Sequence, residues 1–285
     1  YRKAFNTYTS TGAATSFLKG DAHDYFVQRN YYGKEHRQWH VQVGYDRTFG
    51  RHSVSGMLLF EDQHKVGDNF YGSREVVLPM DQVFVGDGET QQFNQSSGGG
   101  SLYDYAYQSL AGRFNYDFGG KYLAEFVFRY DASSRFPSGD LRWVFFPSVS
   151  VGWRISEEKF WSVLKPYVPS LKIRGSWGLV GNNRIGAYQY MQTVSVTNGI
   201  SFGDKLAQTA TFASTNPDLK WETTRMANIG FELGLLNNDL NITFDCFNNR
   251  TKDILVNLPV PGLFGNGAPI QNAGKVETRG WELSV

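Results

Sequence analysis

Alternation of apolar and polar residues over stretches of about ten residues constrains the fold of this chain more than any other feature. The clearest stretch runs from Leu110 to Phe118, where apolar residues or glycine occupy the even positions and Ala111, Arg113, Asn115 and Asp117 lie between them. Successive side chains of a strand point to opposite faces, so such a strand has one apolar and one polar face. A tilted strand needs roughly 9–11 residues to cross a bilayer, whereas soluble strands more often have about five or six.

The alternation recurs along most of the chain. Gly119-Gly120 and Asn237-Asn238 separate neighbouring stretches and favour tight hairpin turns. With weaker stretches included, the sequence predicts an all-β fold of about ten antiparallel strands. The eight clearest strands are predicted at 39–46, 53–61, 110–118, 121–130, 148–155, 171–179, 227–235 and 240–246.

Composition supports an all-β chain and excludes several alternatives. Aromatic residues make up 16% of the chain and there are 31 glycines, a mixture typical of strands and tight turns. With 28 Lys and Arg against 27 Asp and Glu, charge gives no reason to expect nucleic acid. The single cysteine, Cys246, excludes an internal disulfide framework. No apolar run approaches the roughly 18 residues of a transmembrane helix.

The connections between predicted strands alternate between short and long. The short ones lie near 48–51, 119–120, 157–169 and 236–239, and the long ones near 62–107, 131–146, 180–223 and 251–279. Outer-membrane barrels have short periplasmic turns and long extracellular loops, which gives this alternation. A soluble β-sandwich gives no reason for it. The third short connection is predicted to contain a helical turn at Glu157–Leu164 that ends before Pro166.

The last residues predict that the chain is a fragment. The alternation at Trp281–Val285 begins a strand that stops about halfway across a bilayer, and an unfinished strand would leave backbone groups unpaired in lipid. We therefore expect residues 1–285 to be one incomplete barrel domain, with further strands missing at its C-terminal end.

An ordered series of motifs resembles the SusC/RagA-like TonB-dependent transporters of the Gram-negative outer membrane. Asn183 is a small departure, because the family commonly has Gln after Gly-Asn. The region before about residue 120 matches more loosely, through Tyr45–His52. The motifs are Asp131–Phe136, Phe146–Arg154, Leu171–Gly178, Gly181–Gly186, Asn216–Glu222, Asn248–Asp253 and Gly280–Leu283.

The resemblance implies a barrel of about 22 strands with a plug domain in its lumen. It also implies a TonB complex that energises the plug, and a SusD-like lipoprotein that helps to capture oligosaccharides or peptides. We recognise neither the plug nor the TonB-box segment in this sequence, so we expect no transport by this segment alone.

The sequence predicts neither a catalytic nor a metal site, and no cofactor. His36 and His40 have helical spacing, but His40 lies in a predicted strand, so the two are not expected to share a metal. Substrate-contact candidates are loop residues whose side chains can stack on sugar rings or hydrogen-bond to hydroxyl and carboxylate groups. A role in folding the loops explains them equally well. They are Arg135, Trp143, Asn182, Asn183 and Arg184.

The function we expect is therefore not enzymatic. The chain is expected to be part of a barrel that imports complex nutrients across the outer membrane. Two alternatives remain at this point: a small outer-membrane barrel that acts as an adhesin or structural protein, and a secreted β-sandwich that binds carbohydrate.

Overall fold

The computed structural model describes residues 3–7, 25–75, 91–95, 102–202 and 205–285. Within these ranges the chain forms β-strands joined by turns and short 3-10 segments. The strands are β1 Lys3–Thr7, β2 Tyr25–Phe49, β3 His52–Glu75, β4 Gln91–Gln95, β5 Leu102–Phe118, β6 Tyr122–Ser133, β7 Trp143–Arg154, β8 Ser170–Asn182, β9 Val194–Phe202, β10 Lys205–Phe212, β11 Glu222–Leu235, β12 Leu240–Asn257 and β13 Ile270–Ser284.

The chain divides into two compact units. The smaller unit covers residues 1–37 and 63–105. In it β1 pairs antiparallel with the beginning of β2, and β4 pairs antiparallel with the end of β3.

The larger unit covers residues 38–62 and 106–285 and contains most of the sheet. From β5 onwards its hydrogen-bonded order is β5-β6-β7-β8-β11-β12-β13, with every pair antiparallel. Strands β9 and β10 are not part of this sheet. They form a separate two-stranded hairpin within the connection from β8 to β11. Strands that pair in chain order make up the wall of an antiparallel β-barrel, here a partial one.

Strand pairing places the apolar residues of successive strands in continuous rows. Because side chains alternate between faces, directly paired residues lie on the same face of the sheet. One row therefore crosses six strands on one face. It consists of Tyr122, Trp153, Ile173, Phe231, Phe244 and Leu283.

The apolar face of this sheet is exposed, and this excludes the sandwich. Val151 is 56% exposed, Ile229 62% and Trp281 67%. A sandwich would bury these residues against a second sheet. In a membrane barrel the same face contacts lipid, while the polar face lines the lumen.

Three of the four predicted short connections are confirmed, because short turns join β2 to β3, β5 to β6 and β11 to β12. The predicted short connection between β7 and β8 runs from 155 to 169 and is longer than the β6–β7 connection at 134–142, so the alternation in length was wrong there. Several strands are longer than predicted; for example, β12 has 18 residues and β5 has 17. The prediction that 62–107 is a connection was therefore wrong at both ends, since β3 continues to Glu75 and β5 begins at Leu102. Beyond the bilayer both faces of a strand meet water, so pairing continues after the alternation has ended.

Two further predictions need correction. The last strand begins at Ile270 and not at Trp281, so it was not the half-length strand that the alternation indicated. The helical turn predicted at Glu157–Leu164 consists of two 3-10 segments, Ile155–Glu157 and Lys159–Val163. Among the described residues, no helix combines the length and apolar character needed to cross a bilayer.

Candidate functional site

A buried cluster lies at the end of the larger unit that carries the long connections. We call Phe136, Phe146, Leu219 and Trp221 the loop hub; each is less than a tenth exposed. The ring of Trp221 stacks on Phe136, with centroids 5.1 Å apart, and Phe146 meets Trp221 edge-on at 5.7 Å. The loop hub is thus a small aromatic core built outside the membrane-spanning part of the wall.

Hydrogen bonds fix the β6–β7 connection to the loop hub. The indole Nε1 of Trp221 donates to the Arg142 carbonyl oxygen at 3.1 Å. The Arg142 guanidinium in turn donates to the Phe136 carbonyl oxygen at 3.2 Å. Both carbonyl groups belong to the β6–β7 connection. The Arg142 bond holds the two ends of this connection together, and the Trp221 bond holds it to the segment that precedes β11.

A second network joins the segment before β11 to the adjacent ends of β12 and β13. The Asn272 amide accepts from the Lys220 backbone N–H at 3.0 Å and donates to the Lys220 carbonyl oxygen at 2.7 Å. The Lys220 ammonium group pairs with Asp253 at 3.0 Å. The Glu222 carboxylate accepts from the Leu255 backbone N–H at 2.8 Å. The β6–β7 connection, the segment before β11 and the ends of β12 and β13 therefore share one set of contacts.

Four of the five substrate-contact candidates come together beside this hub. The Arg135 guanidinium donates to the Asn183 carbonyl oxygen at 3.2 Å. The Asn182 side chain donates to the Glu222 carboxylate at 2.6 Å and accepts from the Arg184 backbone N–H at 3.0 Å. Asn182 and Arg184 are exposed, whereas Arg135 and Asn183 are partly buried.

The fifth candidate, Trp143, has a different neighbour. The Trp143 ring stacks on the Tyr130 ring with centroids 5.0 Å apart. Trp143 is the first residue of β7 and pairs with Ala132 of β6. Tyr130 belongs to the apolar face of β6 and is 41% exposed. This contact places Trp143 with the outward aromatic side chains and not with the other four candidates.

A cleft of about 500 Å³ next to the loop hub was not predicted from the sequence. Its polar lining comes from two segments that are far apart in the chain, the connection before β11 and the beginning of β13. The motif Asn216–Glu222 drew attention to one side, but no sequence signal paired it with the segment after Pro269. The lining residues are Leu141, Thr215, Asn216, Asp218, Lys220, Pro269, Gln271 and Asn272.

The polar face of the wall carries charges that are paired across strands. Arg113 pairs with Glu125 at 2.5 Å, and Arg174 lies between Asp245 at 2.6 Å and Glu232 at 3.4 Å. Small side chains such as Ser150 and Gly152 line a groove of about 560 Å³ beside these pairs. In the described part of the chain, no three His, Cys, Asp or Glu residues lie close enough together to hold a metal ion.

At the opposite end of the strands, Glu158 connects the β7–β8 turn to the wall. Its carboxylate accepts from the Tyr122 hydroxyl at 2.6 Å, the Lys121 ammonium group at 3.0 Å and the Trp153 indole N–H at 3.3 Å. These donors, the Tyr122 hydroxyl first among them, lower the pKa of the Glu158 carboxyl to about 2.

The chain is similar to proteins of a known outer-membrane family. The family model described as TonB dependent receptor-like, beta-barrel matches residues 1–285. TonB-dependent receptor P39 of Formosa agariphila is 32% identical over 85% of this chain and 23% of its own length. TonB-dependent receptor SusC of Bacteroides thetaiotaomicron is 30% identical over 92% of this chain and 26% of its own length.

Solved structures show the same fold. The RagAB peptide transporter superposes with a TM-score of 0.76 and 25% identity, over 91% of this chain and 28% of that chain. The RagAB peptide importer in its open-open state gives a TM-score of 0.80 at 23% identity, over 99% of this chain and 29% of that chain. The fold described above is thus shared with these barrels.

Proposed function

This chain belongs to the TonB-dependent receptor-like β-barrel family, and from that premise we propose that it forms part of the wall of an outer-membrane transporter for complex nutrients. The chain spans about a quarter of the length of the curated relatives it matches. Transport is accordingly proposed for the whole protein and not for residues 1–285 alone.

The two-faced wall is the observation that carries this proposal. Its apolar face is exposed across consecutive strands, which suits lipid, and its polar face has paired charges and small side chains, which suits a wet lumen. An enzyme would instead need a convergent set of reactive groups. In a transporter the wall surrounds a path and holds its gate, so no reactive group is required of it.

Oligosaccharides or peptides are the proposed cargo. One relative carries the name SusC, and one similar structure is titled a peptide transporter. The cleft beside the loop hub is lined by amide, carboxylate and ammonium side chains, which can bind sugar hydroxyl groups or peptide backbone groups. Of the candidate contact residues, Asn182 and Arg184 are exposed and are the ones we propose to meet the cargo.

We also propose the partners that this family membership implies. A SusD-like lipoprotein would cover the extracellular mouth, where the long connections lie, and a TonB complex would act from the periplasmic side. The proposed location is the outer membrane of a Gram-negative cell.

Deletion of the whole gene in its host tests this function. Wild-type and deletion cells would be supplied with fluorescently labelled oligosaccharides and oligopeptides, and cell-associated label would be measured after protease and wash. We expect loss of uptake for one of the two cargo classes, with recovery when the intact gene is returned. Unchanged uptake of both classes, or recovery of the protein in the soluble fraction, would refute the proposal.

A further inference from the structure

The connection between β7 and β8 differs from the other short connections because it exposes a set of large apolar side chains. Phe160 is 63% exposed, Val163 79% and Tyr167 75%, and Leu164 is also exposed. The other short connections, at 50–51, 119–121 and 236–239, have two to four residues each, and Leu236 is the one large apolar side chain that they expose. An exposed apolar patch of this kind indicates a contact surface.

Internal hydrogen bonds hold the connection in shape, so the exposure is not that of a loose loop. The Trp161 indole N–H donates to the Val168 carbonyl oxygen at 3.0 Å. Backbone N–H groups of Lys165 and Val168 donate to the Trp161 and Leu164 carbonyl oxygens at 3.0 and 2.8 Å. The apolar side chains therefore stay outside while the backbone polar groups are satisfied within the turn.

Glu158 shows which side of the wall the connection lies on. Its carboxylate accepts from Tyr122 and Trp153, two members of the exposed apolar row. Because those side chains point to the lipid face, the connection begins on the outward side of the wall and not over the lumen. The segment that carries the exposed apolar side chains therefore begins beside the lipid-facing surface.

The charges of the segment suit a headgroup layer. Lys159 and Lys165 are exposed among the apolar side chains, and Lys165 pairs with Glu157 at 3.4 Å. Aromatic side chains and lysines beside apolar residues are typical of segments that lie at a membrane interface. A surface that packed on a folded protein would have no need of the adjacent lipid face.

We propose that residues 159–167 lie in the interfacial layer of the phospholipid leaflet on the side of the short connections, with Phe160, Val163, Leu164 and Tyr167 inserted among the lipids. This rests on the proposed outer-membrane location. The segment fixes the depth of this part of the wall, because Glu158 bonds its beginning to β6 and β7.

Depth-dependent quenching tests the proposal. Val163→Cys would be introduced into the full-length protein in which Cys246 and any cysteine outside residues 1–285 are replaced by serine. The protein would be labelled with an environment-sensitive fluorophore and folded into phosphatidylethanolamine and phosphatidylglycerol vesicles. Lipids with a nitroxide near the headgroup or deep in the chain would be the quenchers. We expect headgroup nitroxides to quench the label at position 163 several-fold more than a label at Leu263→Cys, which is fully exposed in the β12–β13 connection.

A second control separates failure of this inference from failure of the proposed function. Val151→Cys reports the lipid face itself and should be quenched most by the deep nitroxide. Quenching at 151 with a water-exposed label at 163 overturns the interfacial segment and leaves the barrel intact. No quenching at either position overturns the membrane barrel as well. Water exposure at 163 in vesicles with protection from a thiol reagent in cells would assign the patch to a protein partner instead.

Discussion

Trp221 combines more roles than any other side chain of the loop hub. Its ring fills the space between Phe136 and Phe146, and its indole N–H satisfies a carbonyl group 79 residues away in sequence. A buried carbonyl that loses its donor is costly because water cannot replace the donor. The two contributions can be separated by substitution.

Trp221→Phe keeps an aromatic ring and removes the donor to the Arg142 carbonyl oxygen, so we expect the free energy of unfolding to fall by about 1–3 kcal/mol. Trp221→Ala also leaves a cavity, and we expect the free energy of unfolding to fall by about 3–5 kcal/mol. Urea unfolding of the vesicle-folded protein measures both. The control is Trp177→Phe, on the exposed face of β8, which should change stability by less than about 0.5 kcal/mol. Equal effects at 221 and 177 would show that the hub does not hold the loops.

We expect the protein to lose stability in acid when the Glu158 carboxylate is protonated. Its pKa is lowered from 4.5 to about 2 in the folded chain, so its contribution is present above about pH 4.5 and disappears as the pH falls towards 2. Tyr122→Phe removes the main donor and should raise the carboxyl pKa towards 4.5. Carbon-detected NMR titration of labelled Glu side chains measures this shift. Tyr116→Phe, whose hydroxyl contacts His52, should leave it unchanged.

Sequence reasoning found the candidate residues but not their contacts. Arg135 and Asn183 were singled out for ligand chemistry, and the structure uses the Arg135 guanidinium to hold the Asn183 backbone. The cleft lined by Asn216 and Gln271 was missed, because its two sides come together only through the loop hub. Such long-range side-chain to backbone bonds leave no periodic trace in a sequence. Whether any of these residues touches cargo stays a prediction.

At the scale of the strand, alternation predicted the membrane-spanning parts and failed where strands pass into water. The apolar faces of β6, β7 and β12 were placed correctly because lipid on one side and a wet lumen on the other impose a period of two. Past the bilayer that constraint ends, so the upper parts of β3, β5 and β13 looked like loops. Backbone pairing sustains them together with single side-chain pairs such as His64–Asp104 and Arg250–Glu277, and neither leaves a period of two in the sequence.

Two glycines of β8 provide a matched test of strand packing. A Cβ on Gly181 would overlap the Phe146 ring, whereas one on Gly175 would come no closer than 3.8 Å to the Asn228 carbonyl oxygen. We expect Gly181→Ala to destabilise the protein by about 1–3 kcal/mol through overpacking, and Gly175→Ala to have a much smaller effect. Protease cleavage within the long connections, followed over time, reports the difference.

The partner of this clash can be changed to confirm its cause. Phe146→Leu combined with Gly181→Ala should cost less than the sum of the two single substitutions, because the smaller side chain leaves space for the added methyl group. Strict additivity would show that Gly181 is required for its backbone conformation and not for its contact with Phe146.

For the molecule as a whole, the medium that each face of the wall contacts, lipid or water, determines which substitutions that face tolerates. Ile229→Arg places a charge on the lipid face and should cost about 2–4 kcal/mol near the bilayer centre. Asn228→Arg places the same charge on the neighbouring polar face and should cost much less. Folding into vesicles, followed by heat-modifiable mobility on gels, compares the two. Equal tolerance would mean that the apolar face does not meet lipid.

The loop hub joins the β6–β7 connection, the connection between β8 and β11 and the beginning of β13, and each of these is bonded to another through backbone groups. A single connection grafted from a relative would arrive without the carbonyl and N–H groups that its neighbours need. We therefore expect the three segments to be exchangeable only together. Chimeras with new cargo preferences should be designed with crossovers in the membrane-spanning strands, where backbone pairing does not depend on a particular side chain.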